Sequence, residues 1–317
     1  MRLPDFVVIG AAKAGTTSLH ALLDRHPDIF MPRVKEPEFF ARDDRYAAGV
    51  EAYAQGFAEA RADQTVGEAS TIYSLSPLFG QTAARMNAHL PQAKLIYVMR
   101  DPVARAYSYY VQILKNYQNV TGDRAVHRSF EEFVLPEPHS TAAPREKAFS
   151  TANAHLPDVP ELCLAGSEYV QQIMAYRAHF DADRFLFLKF EDFVTDRAGV
   201  LRQVTDFLGL SPLADAVFEE ASVTRNVSKA HFNALEETVT LDGMRKRAGP
   251  LWALRQAVPT PLREMLRRQA VRRSPAPTAH IPPPMQDETR ALLRTRFAAQ
   301  IPELERLTGL TFAEWDL

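Results

Sequence analysis

Three clusters in this sequence carry residue types and spacings suited to chemistry on phosphate-like groups. The first is Gly10-Ala11-Ala12-Lys13-Ala14-Gly15-Thr16-Thr17-Ser18. A loop of small residues lets backbone N–H groups approach an anion, and a helix starting at its end adds a favourable dipole. Lys13 supplies a point charge, and Thr16, Thr17 and Ser18 supply hydroxyl donors. The same residues also suit a tight turn whose Thr and Ser cap a helix. In an ordinary nucleotidase P-loop the Lys directly follows the second Gly. Here Lys13 stands two residues before Gly15. That displacement argues against a kinase or NTPase, which remains the alternative enzyme class.

The second cluster is Arg100-Asp101-Pro102-Val103-Ala104-Arg105-Ala106-Tyr107-Ser108. Arg offers a planar fork and Ser a donor, a pair suited to a terminal phosphate. An Arg100–Asp101 ion pair with an unrelated helix-surface Ser fits the same residues. The third is Lys35-Glu36-Pro37-Glu38-Phe39-Phe40. Proline and two aromatics can hold Glu36 rigidly enough to take a proton from a hydroxyl nucleophile. Glu68, in Val66-Gly67-Glu68-Ala69-Ser70, is a second candidate base at an expected strand end. A solvated acidic loop is the plain alternative for Glu36.

The elements that must position these clusters alternate strand and helix. Phe6–Ile9 is a short apolar run, broken at 10–15 before Leu19, Leu22 and Leu23 recur at helical spacing. Lys94–Met99 is a second buried-strand pattern, followed by a helix opened by Pro102 and expected to reach about Lys115. Residues 184–190 form a third strand pattern, followed by a helix carrying Val200, Val204, Phe207 and Leu208 and ended by Gly209. Near-continuous apolar strands alternating with amphipathic helices predict an α/β fold of three layers, a central parallel sheet flanked by helices. Residues 136–165 hold five prolines and are expected to form a long loop or lid. Residues 274–284, with five more, read as an extended connector. One domain is expected over 1–317, with a core at about 1–210 and a helical and loop part at about 211–317 closing over the donor site.

Composition sets the bounds. The 317 residues are 46% hydrophobic and 24% charged, which excludes disordered and fibrous classes. With 37 basic and 39 acidic residues the net charge is −2, so no global attraction to polyanions is present. Cys163 is the single cysteine, which excludes an intramolecular disulfide and a Cys-rich metal site. It also suits a reducing compartment. No apolar run approaches the roughly 20 residues of a membrane helix, and cytoplasmic localisation is the expectation. Residues 245–273 carry nine Lys/Arg against one acid, Glu264. A solvated helical face is the first reading, with an anionic acceptor site or a peripheral contact to acidic lipid beside it. Nucleic acid is not expected as a partner, because no aromatic-interleaved motif accompanies the charge.

Taken in order, the Lys-Ala-Gly-Thr-Thr-Ser-Leu loop, the Lys-Glu-Pro-Glu-Phe-Phe segment and the Arg-Asp-Pro…Tyr-Ser run resemble sulfotransferases that use 3′-phosphoadenosine-5′-phosphosulfate (PAPS). The likeness is greatest to the bacterial and heparan-sulfate-type branch. Phe190-Glu191-Asp192-Phe193, Phe207-Leu208-Gly209-Leu210 and Leu307-Thr308-Gly309…Trp315 extend it along almost the whole chain. The resemblance implies a P-loop-like sulfotransferase fold and a metal-independent, in-line transfer to a hydroxyl of a carbohydrate, lipid-linked or small-molecule acceptor, releasing 3′,5′-diphosphoadenosine (PAP). It implies that Lys13, Ala14, Gly15, Thr16, Thr17 and Ser18 bind the 5′-phosphosulfate, with Lys13 also catalytic. It assigns the 3′-phosphate to Arg100 and Ser108, and the base to Glu36. Arg225 falls where the family closes a loop over the nucleotide, with a surface turn as alternative. Tyr169 falls near the adenine, with core packing as alternative. Ala69 and Ala41 stand where family members often carry a Lys and an acid; both departures concern the acceptor side. A nucleotide-binding module without turnover is the non-enzymatic reading.

Overall fold

A computed structural model describes residues 1–121, 129–135, 159–212 and 282–317. These contain five strands: β1 (Phe6–Gly10), β2 (Ile29–Phe30), β3 (Thr65–Ala69), β4 (Lys94–Met99) and β5 (Phe185–Lys189). They form one sheet in the order β2-β3-β1-β4-β5 with every pair parallel. All five residues of β1 are buried, as are Leu95 to Met99 of β4, which is why both read as unbroken apolar runs. Helices flank the sheet: α1 (Thr16–Leu23), α2 (Asp43–Tyr46), α3 (Val50–Ala54), α4 (Thr82–His89) and α5 (Pro102–Thr121) come first. After them come α6 (Phe130–Val134), α7 (Val159–Ala165), α8 (Tyr169–Arg177), α9 (Phe190–Thr195), α10 (Arg197–Leu208), α11 (Asp287–Ala298) and α12 (Ile301–Thr308).

The chain divides into two compact units, one of residues 1–106, 162–226 and 290–317, the other of 107–161 and 227–289. The first contains the whole sheet. Its strand order reverses at β1: the chain fills β2 and β3 on one side and then β4 and β5 on the other. Open parallel sheets bind ligands outside the carboxyl ends of strands at such a reversal. In the second unit, Tyr107 and Tyr110 on α5 pack against Phe130, and Tyr110 also meets Phe133. The Tyr107 hydroxyl donates to the Pro283 carbonyl at 2.9 Å. A capping box at Ser129 and Glu132 starts α6.

Several expectations need correction. The helix opened by Pro102 continues to Thr121, past Lys115, because nothing between them breaks it: Asn116 to Thr121 holds neither Gly nor Pro. Residues 159–165, expected as irregular, are helical; Pro160 occupies the first turn, where its missing N–H has no role. The third strand is shorter than 184–190, since Phe190 already opens α9. Strand β2 is two residues long and carries no pattern of its own. The remainder of the proline-rich loop, the basic stretch 245–273 and most of the part expected to close over the donor lie outside the described residues.

Candidate active site

The segments from the three sequence clusters meet at the carboxyl ends of β1, β3 and β4. The Ala11 N–H donates to Val98 O at 2.7 Å, joining the loop after β1 to β4. The Ser70 N–H donates to Val8 O at 3.1 Å, joining the end of β3 to β1. The Glu36 N–H donates to Ala69 O at 3.1 Å, which brings the Lys-Glu-Pro segment onto the same edge.

In the first loop Lys13 and Gly15 both take left-handed backbone, at φ 74° and 82°. Gly15 is the N-cap of α1 and no side chain caps that helix, the kind of helix start whose first N–H groups can meet an anion. A Cβ at Gly15 would stand 2.9 Å from Phe190 Cδ2. Phe190 lies in turn beneath Arg100, whose guanidinium carbon is 4.7 Å from the ring centre. Glycine is therefore required by both the dihedral and the space.

Arg100 leaves β4 at the sheet edge and donates from Nη1 to Lys13 O at 3.1 Å. Burial holds its guanidinium below the ordinary range, while Glu191 pulls the other way. The Tyr169 hydroxyl donates to Arg100 O at 2.5 Å and accepts from its N–H at 3.2 Å. Glu191 accepts from the Asp101 N–H at 3.0 Å and from Trp315 Nε1 at 3.2 Å. The Trp315 ring packs on Tyr169 and Phe312. Asp101 accepts from the Ala104 N–H at 2.6 Å and so caps α5.

Beneath this edge Arg105 is fully buried. Its Nε donates to Ser167 Oγ at 2.6 Å, Nη1 to Ala12 O at 3.3 Å, and Nη2 to the carbonyls of Leu162 and Cys163. Arg105 and Glu191 stand inside the sequence motifs with no role assigned to them there. The signal available for Arg105 was its helical register, which places it one turn after Asp101, on the face turned to the core.

On the β3 side, Glu36 and Glu38 are both left-handed, at φ 62° and 56°. The Glu36 side chain is 37% exposed; its Oε1 accepts from Lys35 Nζ at 2.5 Å and from Thr71 Oγ1 at 3.3 Å. Glu68, by contrast, is completely buried. Burial raises its carboxyl to about 7, against hydrogen bonds from Ser70, Tyr53 and Tyr73. His20, on α1, is held below its ordinary range by burial and then by the Lys35 charge.

Of the residues expected at the site, Lys13, Ala14, Gly15, Thr16, Thr17, Ser18, Arg100 and Glu36 all belong to this one edge. Tyr169 is wholly buried with its hydroxyl on Arg100, so it packs in the core beneath this edge. Ser108 is buried on the part of α5 that belongs to the second unit. Arg225 lies outside the described residues. Among the described residues no group of three His, Cys, Asp or Glu could hold a metal ion, and no helix is long and apolar enough to cross a membrane. A cavity of about 390 Å³ lies at the opposite sheet edge, among Leu3, Asp5, Thr65, His89 and Lys94.

A family model described as a sulfotransferase domain matches residues 3–247. The chain belongs to the sulfotransferase family. Over 209 residues it is 31% identical to mouse heparan sulfate glucosamine 3-O-sulfotransferase 3B1, covering 66% of this chain and 47% of that protein. Over 300 residues it is 27% identical to rat carbohydrate sulfotransferase 15, covering 81% of this chain and 50% of that protein. The chain thus spans about half the length of these curated relatives. Its fold is shared with a solved sulfotransferase from Alicyclobacillus acidocaldarius at a TM-score of 0.63, with 23% identity and all of both chains covered.

Proposed function

We propose that this chain moves a sulfuryl group from PAPS to a hydroxyl of a carbohydrate or other small acceptor. The carrying observation is the convergence of Lys13, Arg100 and Glu36 at one sheet edge. The residues present fit the donor: an uncapped helix start, the Lys13 ammonium and the Arg100 fork can together meet two phosphate groups. Bound PAPS supplies an activated sulfuryl group on a phosphate leaving group. Backbone N–H groups at 15–17 hold the 5′-phosphate, and Lys13 stabilises the negative charge that develops as the leaving group departs. Arg100, fixed by Phe190, Glu191 and Tyr169, holds the 3′-phosphate. Glu36 accepts the proton of the acceptor hydroxyl on Oε2, since the contacts from Lys35 and Thr71 both fall on Oε1. Glu68 is too deeply buried to reach an acceptor.

The carbohydrate acceptor is supported by the names of the relatives, which act on heparan sulfate glucosamine or other carbohydrate. The kinase alternative finds no support in the family. Glu36→Gln decides the assignment: turnover falls by at least a hundredfold while PAP affinity stays within about twofold. A large loss of PAP binding would show that Glu36 serves the donor instead. Labelled PAPS supplied to a cell extract, with identification of the labelled product, tests the acceptor class. A silent nucleotide-binding module would bind PAP and label nothing. We place the enzyme in the cytoplasm, a proposal checked by fractionation of cells carrying the full-length protein.

A further inference from the structure

The segment that presents Glu36 is held from below by a hydrogen-bond relay with a single buried acceptor. The Glu38 N–H donates to Ser70 Oγ at 3.2 Å, and the Phe40 N–H donates to the Tyr73 hydroxyl at 3.4 Å. An amide can only donate, so both hydroxyl oxygens are acceptors there and their protons must point elsewhere. The Ser70 proton goes to Glu68 Oε1 at 2.6 Å. The Tyr73 hydroxyl lies beside Glu68, and Tyr53 donates to Oε2. Two loop amides thus end on two hydroxyls beside one carboxyl, which accepts the protons of Ser70 and Tyr53. Phe39 stacks on the Tyr53 ring at 4.5 Å between centres, tying the same loop to the same relay.

We propose that Glu68 is a positioning residue for the reaction: its ionised carboxyl orients Ser70 and Tyr73 to hold the 36–40 loop, and so places Glu36 against the acceptor hydroxyl. A carboxylate accepts the protons of both Ser70 and Tyr53, whereas a protonated carboxyl must donate one of its own into the ring of hydroxyls and disrupt their order. Left-handed backbone at Glu36 and Glu38 is costly for non-glycine residues and persists only where the surroundings over-determine it. The relay supplies that constraint. The titratable groups facing Glu68 are Tyr53 on α3, Tyr73 in the turn after β3, Tyr176 on α8 and Glu36 itself. None of the three tyrosines ionises below pH 10, because burial raises each. Glu68, raised to about 7, is the group in this cluster that changes charge near neutrality.

The inference rests on Glu36 as the base, so Glu36→Gln is measured beside Glu68→Gln, Ser70→Ala, Ser70→Thr and the Glu68→Gln/Ser70→Ala double variant of the full chain. Turnover is read as PAP release from PAPS in the presence of the extract used for labelling, PAP binding by calorimetry, and folding by thermal melt. The expected result is a loss of kcat of at least tenfold for Glu68→Gln and three- to tenfold for Ser70→Ala, with PAP Kd within twofold. The double variant is no worse than Glu68→Gln, Ser70→Thr recovers most of the activity, and the fall in kcat below about pH 7 is absent from Glu68→Gln. Wild-type kcat and pH profile in Glu68→Gln overturn the inference, as do losses that multiply in the double variant. Should Glu68→Gln fail to fold, equal activity of Ser70→Ala and Ser70→Thr overturns it. A fully active Glu36→Gln sinks the base assignment itself; an inert Glu36→Gln beside a wild-type Glu68→Gln sinks only the relay.

Discussion

Replacing Arg105 by methionine keeps most of the apolar stem and removes the guanidinium that three segments share. Four acceptors lose a donor, but not equally. Ser167 Oγ keeps its bond to Pro102 O at 2.9 Å, and Leu162 O still accepts from the Gly166 N–H at 3.2 Å. The loss falls on Ala12 O and Cys163 O. Each buried, unsatisfied carbonyl costs about 1–3 kcal/mol, and relief from burying a cation returns part of that. The net expectation is a destabilisation of about 2–4 kcal/mol, or roughly 5–12 °C in Tm for a domain of this size. Because Ala12 belongs to the donor loop, PAP affinity should fall about tenfold even at temperatures where the variant is folded. Arg105→Lys should do little better, since a single ammonium cannot serve Ser167 and two separate carbonyls at once. Differential scanning calorimetry and PAP titration check both. A methionine variant melting within about 2 °C of wild type, with unchanged PAP affinity, would refute the reasoning that this buried cation shapes the loop.

Other expectations concern the edge itself. Lys13→Ala should lower kcat by about a hundred- to a thousandfold, the range for removing one donor aimed at developing charge, and steady-state assay with PAPS measures it. Gly15→Ala should cost about 1–2 kcal/mol for its left-handed dihedral alone and push Phe190 against Arg100. Weaker PAP binding together with a lower Tm is the expected pair, and normal PAP binding would show that Phe190 yields without moving Arg100. The raised carboxyl of Glu68 binds its proton more tightly folded than unfolded. Its contribution is full below pH about 4.5 and is lost as pH rises through about 7, a change of the order of 3 kcal/mol. Melts across that window should therefore show a falling limb in the wild type that is missing from Glu68→Gln.

Much of the fold was legible because its signals are local. Phe6–Gly10 and Leu95–Met99 are buried on both faces, so they read as strands without reference to any partner. Gly209, at φ 78°, ends α10 where a left-handed residue is needed. Strand β2 was invisible, since two residues carry no period and only pairing with Thr65 and Val66 makes them a strand. The helix at 159–165 was hidden for a different reason. A proline cluster suggests irregular chain, yet a proline in a first turn leaves a helix intact.

The chemistry divides the same way. Residue types and short spacings determined by themselves that Lys13, Glu36 and Arg100 are available for phosphate contact and proton transfer, because charge and functional group belong to the side chain. Which groups meet, and in what state, depended on the sheet order, since β1, β3 and β4 are neighbours only after distant segments pair. Glu36 and Glu68 look alike as letters; one is 37% exposed beside Lys35, the other sealed beneath three hydroxyls. Tyr169 and Arg105 likewise became supports of the site only through burial. Burial is a property of the packed whole, and it alone decided that Glu36 is open to solvent and Glu68 is sealed in the core.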